Sequence, residues 1–427
     1  MKQRAFQLKQ YVNKVYGLNQ QLGAIKDGRI NPQVELLEIL TVILAGLLAG
    51  VLSFNHLERN LRCGYFKKLT GNNKRSGSAD TFGYALERLD SDALIRINDL
   101  IINQARRNKV MNGGTVDGFK VVAIDGTEVV RSTSKYRSCS KCRSSVYNKG
   151  EADETTYYHE SIVGAAYIGR PPGLVLDLER ILKGEGETAA AIRLLKSLYQ
   201  RHFRYADILV FDALFAKAPL IKEVLAQNKI AVIRVKQENY HIVRDADDLF
   251  KNRKPDLEDT LSLKSDYYPE DCSGKKYRYR VRIWDEENFT SWKGLEVPLR
   301  VLKVEETRLS MNGEILGEKN LTHIVTTASK SILPTISLWR IMHRRWDIEN
   351  KVFHDLKTYW GFKHSFHHEE NAFMAMRWLI VIAFNLFNLF YHRRVSHAYR
   401  KGSSKKYLRQ ELLIGFYLID GPVLEPG

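Results

Sequence analysis

The spacing of hydrophobic residues changes twice along this chain, and each change predicts a different kind of element. From Met1 to about Val116 the apolar positions recur every three to four residues, the period of helices with one buried face. The clearest such stretch is TFGYALERLDSDALIRINDLIINQARR, Thr81 to Arg107. Asn31-Pro32 reads as a helix start, because proline is tolerated in the first turn. An apolar run from Ile39 to Phe54, ILTVILAGLLAGVLSF, follows it. The loop LTGNNKRSGSAD, made basic by Lys74 and Arg75, separates that run from the periodic stretch.

At Lys120 the pattern turns to short β-branched runs. KVVAID, TYYHESIVGAAYIG and LVLDLERI read as strands; ETAAAIRLLKSLYQRHF reads as an amphipathic helix. DILVFD, FAKAPLIKEVLAQ and KIAVIRV continue as strand, helix and strand. Three strands, a helix, a strand, a helix and a strand predict a mixed α/β sheet, since parallel strands need helical crossovers. From about Lys236 to Ala328 the texture is β-rich, with KYRYRVRIW, LEVPLRVLKVEE and THIVTTAS as strands. A helix follows near Pro334, and a second apolar run spans Trp378 to Tyr391. Both apolar runs are shorter than the roughly 18–20 residues of a membrane span, and the second carries Asn385 and Asn388. Buried core helices are the expectation for both, with no membrane partner.

Composition changes the picture mainly through charge. The 427 residues carry a formal net charge of +17 and a pI near 9.5. Such an excess, spread along the whole chain, points to a polyanion: nucleic acid or an anionic membrane face. Four cysteines are too few for a disulfide scaffold in a chain this long. MKQRAFQLKQ lacks the apolar core of a secretory leader. Both point to a reducing cytosol.

Two acids stand at the ends of predicted strands, Asp125 in VVAIDGTEV and Asp212 in ILVFDALFA. In open α/β sheets functional groups gather at the carboxyl ends of strands. If these strands are parallel neighbours, the carboxylates stand side by side, and a hard divalent cation such as Mg²⁺ relieves their repulsion. A third carboxylate on a later helix completes a two-metal site for phosphodiester chemistry. Glu349, in RRWDIENKVFHDLK (Arg344 to Lys357), is placed for that role among cations suited to DNA phosphates. The plainer reading of Arg345 and Glu349 is a surface pair at i,i+4.

These residues, in AIDGTE, FDALFA and HRRWDIENKVFHDLK, resemble the DDE transposases of bacterial insertion sequences, in particular the IS-four group with its Tyr, Arg, Glu, Lys signature. The resemblance runs from about residue 30 to 395. It implies a ribonuclease-H-like mixed α/β core with a helical N-terminal domain and a β-rich insertion before the last catalytic helix. The corresponding divisions are 1–116 (helical, DNA-binding), 117–236 (core, first part), 237–328 (β insertion), 329–395 (core, last helices) and 396–427 (a basic C-terminal tail). It implies cut-and-paste transposition, with Asp125, Asp212 and Glu349 as the catalytic, metal-holding triad and Mg²⁺ as cofactor, Mn²⁺ substituting. The partners are double-stranded DNA, as terminal inverted repeats and target, and a second copy in a synaptic homodimer. The implied location is the bacterial cytoplasm, on the nucleoid when bound to DNA.

Residue by residue, the signature arginine is Arg345, with Arg344 beside it as a further DNA contact. The tyrosine position holds Met342 and the lysine position Leu356, with Lys357 one residue further on. Trp284 and Trp292 in the insertion are candidates for stacking on an unpaired base, Trp292 the preferred one. Asp347 lies about 200° around a helix from Glu349 at 100° per residue, so a solvated position is expected; Glu128, three after Asp125, is a candidate to approach the metals, with a surface or pairing role preferred. Cys139 and Cys142 form half of a zinc-site spacing without a second half, so free thiols are preferred over zinc. His364, His367 and His368 read as a polar helix start. Three alternatives stay open: a catalytically inactive, transposase-derived DNA-binding protein, a membrane-associated protein judged from the run Ile39 to Phe54, and a structure-specific nuclease on the same fold.

Overall fold

The computed structural model describes residues 1–66, 77–133, 143–151, 153–235, 240–262, 278–310, 312–367 and 369–420. Cys139, Cys142, Cys272 and His368 lie outside the described residues, as does most of the basic loop.

The N-terminal region is helical: α1 (Lys2–Tyr16), α2 (Leu18–Gly23), α3 (Leu36–Ala49), α4 (Phe54–Arg62), α5 (Ala79–Arg88) and α6 (Ser91–Arg107). Side-chain caps start the last two. Ser78 accepts from the Thr81 amide at 3.2 Å and Asp90 from the Asp92 amide at 3.0 Å, satisfying donors that a helix start leaves free.

One large mixed sheet follows, built from β1 (Val121–Ser132), β2 (Arg143–Tyr147), β3 (Thr155–Tyr167), β4 (Val175–Arg180), β5 (Ile208–Phe211), β6 (Ile230–Val235), β7 (Leu257–Ser262), β8 (Arg278–Phe289), β9 (Leu299–Leu309) and β10 (Asn320–Thr326). The order is β2-β3-β1-β5-β6-β10-β9-β8-β7, with β4 also on β3. β1, β3 and β4 pair antiparallel, whereas β5 lies parallel to β1 and β6 parallel to β5. The crossovers are α7 (Glu187–Arg201) and α8 (Ala218–Ala226), as parallel pairing requires. The β-rich segment does not stand apart. β10 pairs antiparallel with β6, so β7 to β10 extend the core sheet, and α9 (His241–Phe250) packs on β8 and β9.

The last part holds α10 (Thr335–Arg344), a π-helical turn (Ile348–Phe353), α11 (His354–Tyr359), α12 (Glu370–Arg393), α13 (His397–Gly402) and α14 (Lys405–Asp420). α12 is long and apolar enough to cross a membrane, but its apolar stretch is 94% buried against α3, α5 and α6. Its asparagines explain themselves there. Asn385 donates to Asn98 Oδ1 and to the Val175 carbonyl at 2.8 Å and accepts from the Val175 amide at 2.9 Å, tying α12 and α6 to β4. Residues 396–427, expected as a basic tail, instead fold as packed helices through residue 420. Leu408, Leu412 and Phe416 recur at the helical period and are buried, and α14 lies on α1 and α3.

Candidate active site

Asp125 and Asp212 meet because of strand register. β1 and β5 pair in parallel up to Ala123 and Val210, and each aspartate lies two residues beyond that pair. Since side chains alternate faces with period two and adjacent strands lie about 4.8 Å apart, the carboxylates occupy equivalent neighbouring positions. β1 does not end at Asp125, as its apolar run implied; it continues to Ser132, with Asp125 opposite Gly164 of β3. Asp212 follows β5 directly and accepts the Leu214 amide at 2.8 Å, capping a short 3₁₀ turn.

Glu349 arrives from far along the chain, and the β extension anchors its helix. Arg300 on β9 and Asp285 on β8 form a buried pair at 2.6 Å. Arg300 also donates to the Leu333 carbonyl at 2.6 Å, and the Thr335 hydroxyl donates to Asp285 at 2.6 Å, so the start of α10 is held to the sheet. After α10 the helix widens into the π turn that contains Glu349, a deviation from α geometry that clusters at functional sites. Phe353 in that turn packs on Gly164, where a Cβ would stand 3.0 Å from its ring. The glycine opposite Asp125 thereby lets the helix press onto the sheet. As a result the Glu349 carboxyl group lies within hydrogen-bonding reach of Asp125. Arg345 Nη1 donates to Glu349 Oε1 at 2.8 Å, and its guanidinium is buried.

The electrostatics follow from this crowding. Burial, then Glu349 and Asp212, push the Asp125 carboxyl up to about 8, while Arg345 acts in the opposite direction. A fourth carboxylate, unforeseen in the sequence, stands over Gly126. It is Glu187, the first residue of α7, raised by burial and by Asp212. A Cβ on Gly126 would come within 2.3 Å of its carboxyl carbon. Among the described residues no set of three or more His, Cys, Asp or Glu side chains is packed closely enough to hold a metal ion as it stands. The donor chemistry nevertheless fits Mg²⁺ or Mn²⁺. The donors are all hard carboxylate oxygens, one of them buried and held against its own ionisation, and such ions complete their shells with water and substrate oxygens.

Cations surround the carboxylates unevenly. Lys357 is half-buried and its ammonium interacts with Glu128, Asp125 and Glu349, though burial and Lys363 lower its pKa. Arg234 on β6, also missed in the sequence, lies in the field of Arg345 and Asp212. Its only sequence signal was a charge inside an apolar strand.

Two expected DNA contacts are placed elsewhere. Arg344 is buried and pairs with Asp347 at 3.0 Å on the opposite face of the helix. Trp292 is buried with its ring stacked 5.1 Å from Tyr240, so a base cannot reach it in this arrangement, and Trp284 is likewise buried. Asp347 is not solvated. It pairs with Arg344 and with Lys351 at 2.8 Å and accepts the Gly169 amide at 3.0 Å, anchoring the helix to the end of β3. Glu128 pairs with Arg131 at 3.1 Å. His367 accepts the Glu369 amide at 3.2 Å just ahead of α12.

Residues 118–386 match the family model described as the transposase DDE domain. The chain belongs to this family of transposases. Among solved structures the transposase is similar to piggyBac transposase in a synaptic complex with hairpin DNA, at 12% identity over 99% of this chain and 83% of that one, with a TM-score of 0.43. It is also similar to the NurA nuclease from Sulfolobus solfataricus, at 14% identity over 59% of this chain and 84% of that one, with a TM-score of 0.23. No curated protein sequence matches it.

Proposed function

We propose that this protein is a metal-dependent cut-and-paste transposase of the bacterial insertion-sequence type, with Asp125, Asp212 and Glu349 as its catalytic triad. The observation that carries the reading is the convergence of three carboxylates from distant stretches, one on β1, one just past the end of its parallel neighbour β5 and one on a helix pressed against them. The antiparallel β4-β3-β1 followed by parallel β5 and β6 is the strand order of a ribonuclease-H-like core, which supports it.

Asp125, Asp212 and Glu349 would hold the ions. Two Mg²⁺, when bound, supply activation of the attacking oxygen and stabilisation of the leaving oxygen of the phosphodiester. Arg345, itself buried, holds Glu349 in place and adds its charge to the positive rim of the site. Lys357 and Arg234 extend that positive rim. The first step is attack of water at the element end; the freed 3′-hydroxyl then attacks target DNA. Synapsis of two ends calls for two copies of the chain, and the bacterial cytoplasm is the expected setting.

The test uses DNA flanking the coding region as the source of ends and a supercoiled plasmid as target. With Mg²⁺ or Mn²⁺ the protein is expected to nick the ends and join a pre-cut 3′-hydroxyl end to the plasmid, and Asp125→Asn and Glu349→Gln are expected to abolish both. Nicking without joining would assign a nuclease instead. Joining that survives Glu349→Gln would remove Glu349 from the triad.

A further inference from the structure

A cleft of about 990 Å³ lies on the other side of the helix that carries Glu349. Arg344, Asp347, Lys351 and Asp355 line it, spaced so that one helix face turns away from Arg345 and Glu349. Its other walls are the turn before β1, the end of β3 with Gly169 and Arg170, and the ends of α12 and α14.

Seven cationic side chains line this cleft against three carboxylates, and all three carboxylates are already engaged. Asp117 pairs with Arg340 at 3.0 Å, Asp347 with Arg344 and Lys351, and Asp355 with Lys405 at 3.3 Å. Lys109, Arg170 and Arg393 have no acidic partner among the described residues. A cluster of exposed cations alone is an ordinary solvated surface. A second observation points inward. Arg400 lines the cleft with its buried Nε donating to no described residue, a donor that a phosphate oxygen would meet. His392, also in the lining, is held neutral by burial, Lys405 and Arg400, and accepts from Arg400 Nη1 at 3.1 Å.

We infer that this cleft is a second DNA-binding site, taking the phosphodiester backbone of DNA that flanks the scissile phosphate. Charge complementarity selects a polyanion, and position selects the DNA already at the active site. Gly164, opposite Asp125, and Tyr167, in the cleft wall, are three residues apart on β3. That is roughly 10 Å at about 3.3 Å per residue, or about three base steps along one DNA strand. The inference rests on the reading that DNA is the substrate, but not on the identity of the catalytic residues.

The test measures binding of a fluorescent duplex oligonucleotide against salt concentration. The variant Lys109→Gln/Arg170→Gln/Arg393→Gln removes three exposed cations, so its fold is retained. The control Lys196→Gln/Lys222→Gln/Lys251→Gln removes the same charge outside the cleft. Each phosphate contact contributes about 0.9 to the slope of log affinity against log salt. The cleft variant is expected to bind roughly 10- to 100-fold more weakly near 0.1 M salt, with a slope lower by about two to three, beyond any change in the control. Equal behaviour of the two variants would overturn the inference. So would loss of inorganic phosphate binding with DNA affinity intact, which would assign a small-anion site. If the unaltered protein fails to cleave DNA while the slope still falls in the cleft variant, the catalytic reading fails and the cleft assignment stands.

Discussion

Replacing Asp125 with asparagine is expected to destroy activity and stabilise the protein at the same time. The carboxyl is buried beside Glu349 and Asp212 and is raised from 3.8 to about 8. Between those values the folded protein keeps a proton that the unfolded chain has released. Stability is therefore fully present below about pH 4 and is lost as pH rises toward 8, at up to about 1.4 kcal/mol per pH unit. From pH 4 to pH 7 the ceiling is about 4 kcal/mol. A protein interior responds to charge like a medium of dielectric about 20, so the expected net gain for Asp125→Asn at pH 7 is about 1–2 kcal/mol. Asparagine is isosteric and can still accept the Gly126 amide, a 2.9 Å bond, so little packing is lost. For a chain of this size that is a rise in melting temperature of about 1–2 °C. The assay is thermal unfolding in chelator at pH 4.5, 6, 7 and 8, with the variant's advantage growing with pH. Millimolar Mg²⁺ should then stabilise the unaltered protein and not the variant, because only the native triad gains from binding. A variant that melts at or below the unaltered protein at pH 7 in chelator would refute the claim that Asp125 is held against its own charge.

Three further outcomes follow from the same geometry. Arg345→Ala frees Glu349 from its 2.8 Å partner and is expected to lower the cleavage rate by about 10²–10³-fold, the scale of losing one oriented donor, measured under single-turnover conditions. Asp347→Ala leaves the buried Arg344 and the half-buried Lys351 without their shared carboxylate. Its expected cost is about 3–5 kcal/mol, visible as an earlier denaturant midpoint; a neutral result would restore Asp347 to the surface. Gly126→Ala drives a methyl group into the Glu187 carboxyl; the side chain can swing away, so the fold should survive. If Glu187 helps set the field at the triad, Gly126→Ala and Glu187→Gln will lower cleavage to a similar degree, and unequal effects would show that the glycine acts through the backbone instead.

The parts of this molecule that were legible in the sequence are those where one local signal sufficed. KVVAID and ILVFD are apolar runs ending on acids, and they became β1 and β5 with Asp125 and Asp212 in matched register. The apolar run around Trp378 to Tyr391 gave a buried helix, as its two asparagines implied. What escaped depended on partners far away. β2 is short and mostly exposed, so it carries almost no apolar pattern. α9 and β7 follow a change of texture and were absorbed into the β-rich segment. Asp347 was placed in solvent because an angle around a helix says which face a residue occupies, not what covers that face. Here the end of β3 covers it. Trp292 was a stacking candidate on chemistry alone, and only tertiary packing reveals that Tyr240 already occupies its face.

A segment read as an insertion beside the core continues it strand by strand through β10, and the same strands hold the start of α10 through Arg300 and Asp285. Glu349 therefore depends for the position of its helix on Asp285, Arg300 and Thr335. The π turn brings Phe353 against Gly164, where an added Cβ would stand 3.0 Å from its ring. A larger residue at 164 would lift the helix and separate Glu349 from Asp125 without altering either acid. Gly164→Ala is thus expected to keep the fold and the DNA affinity while lowering the cleavage rate. Cleavage at the unaltered rate would mean that the contact between Phe353 and β3 does not govern where Glu349 stands.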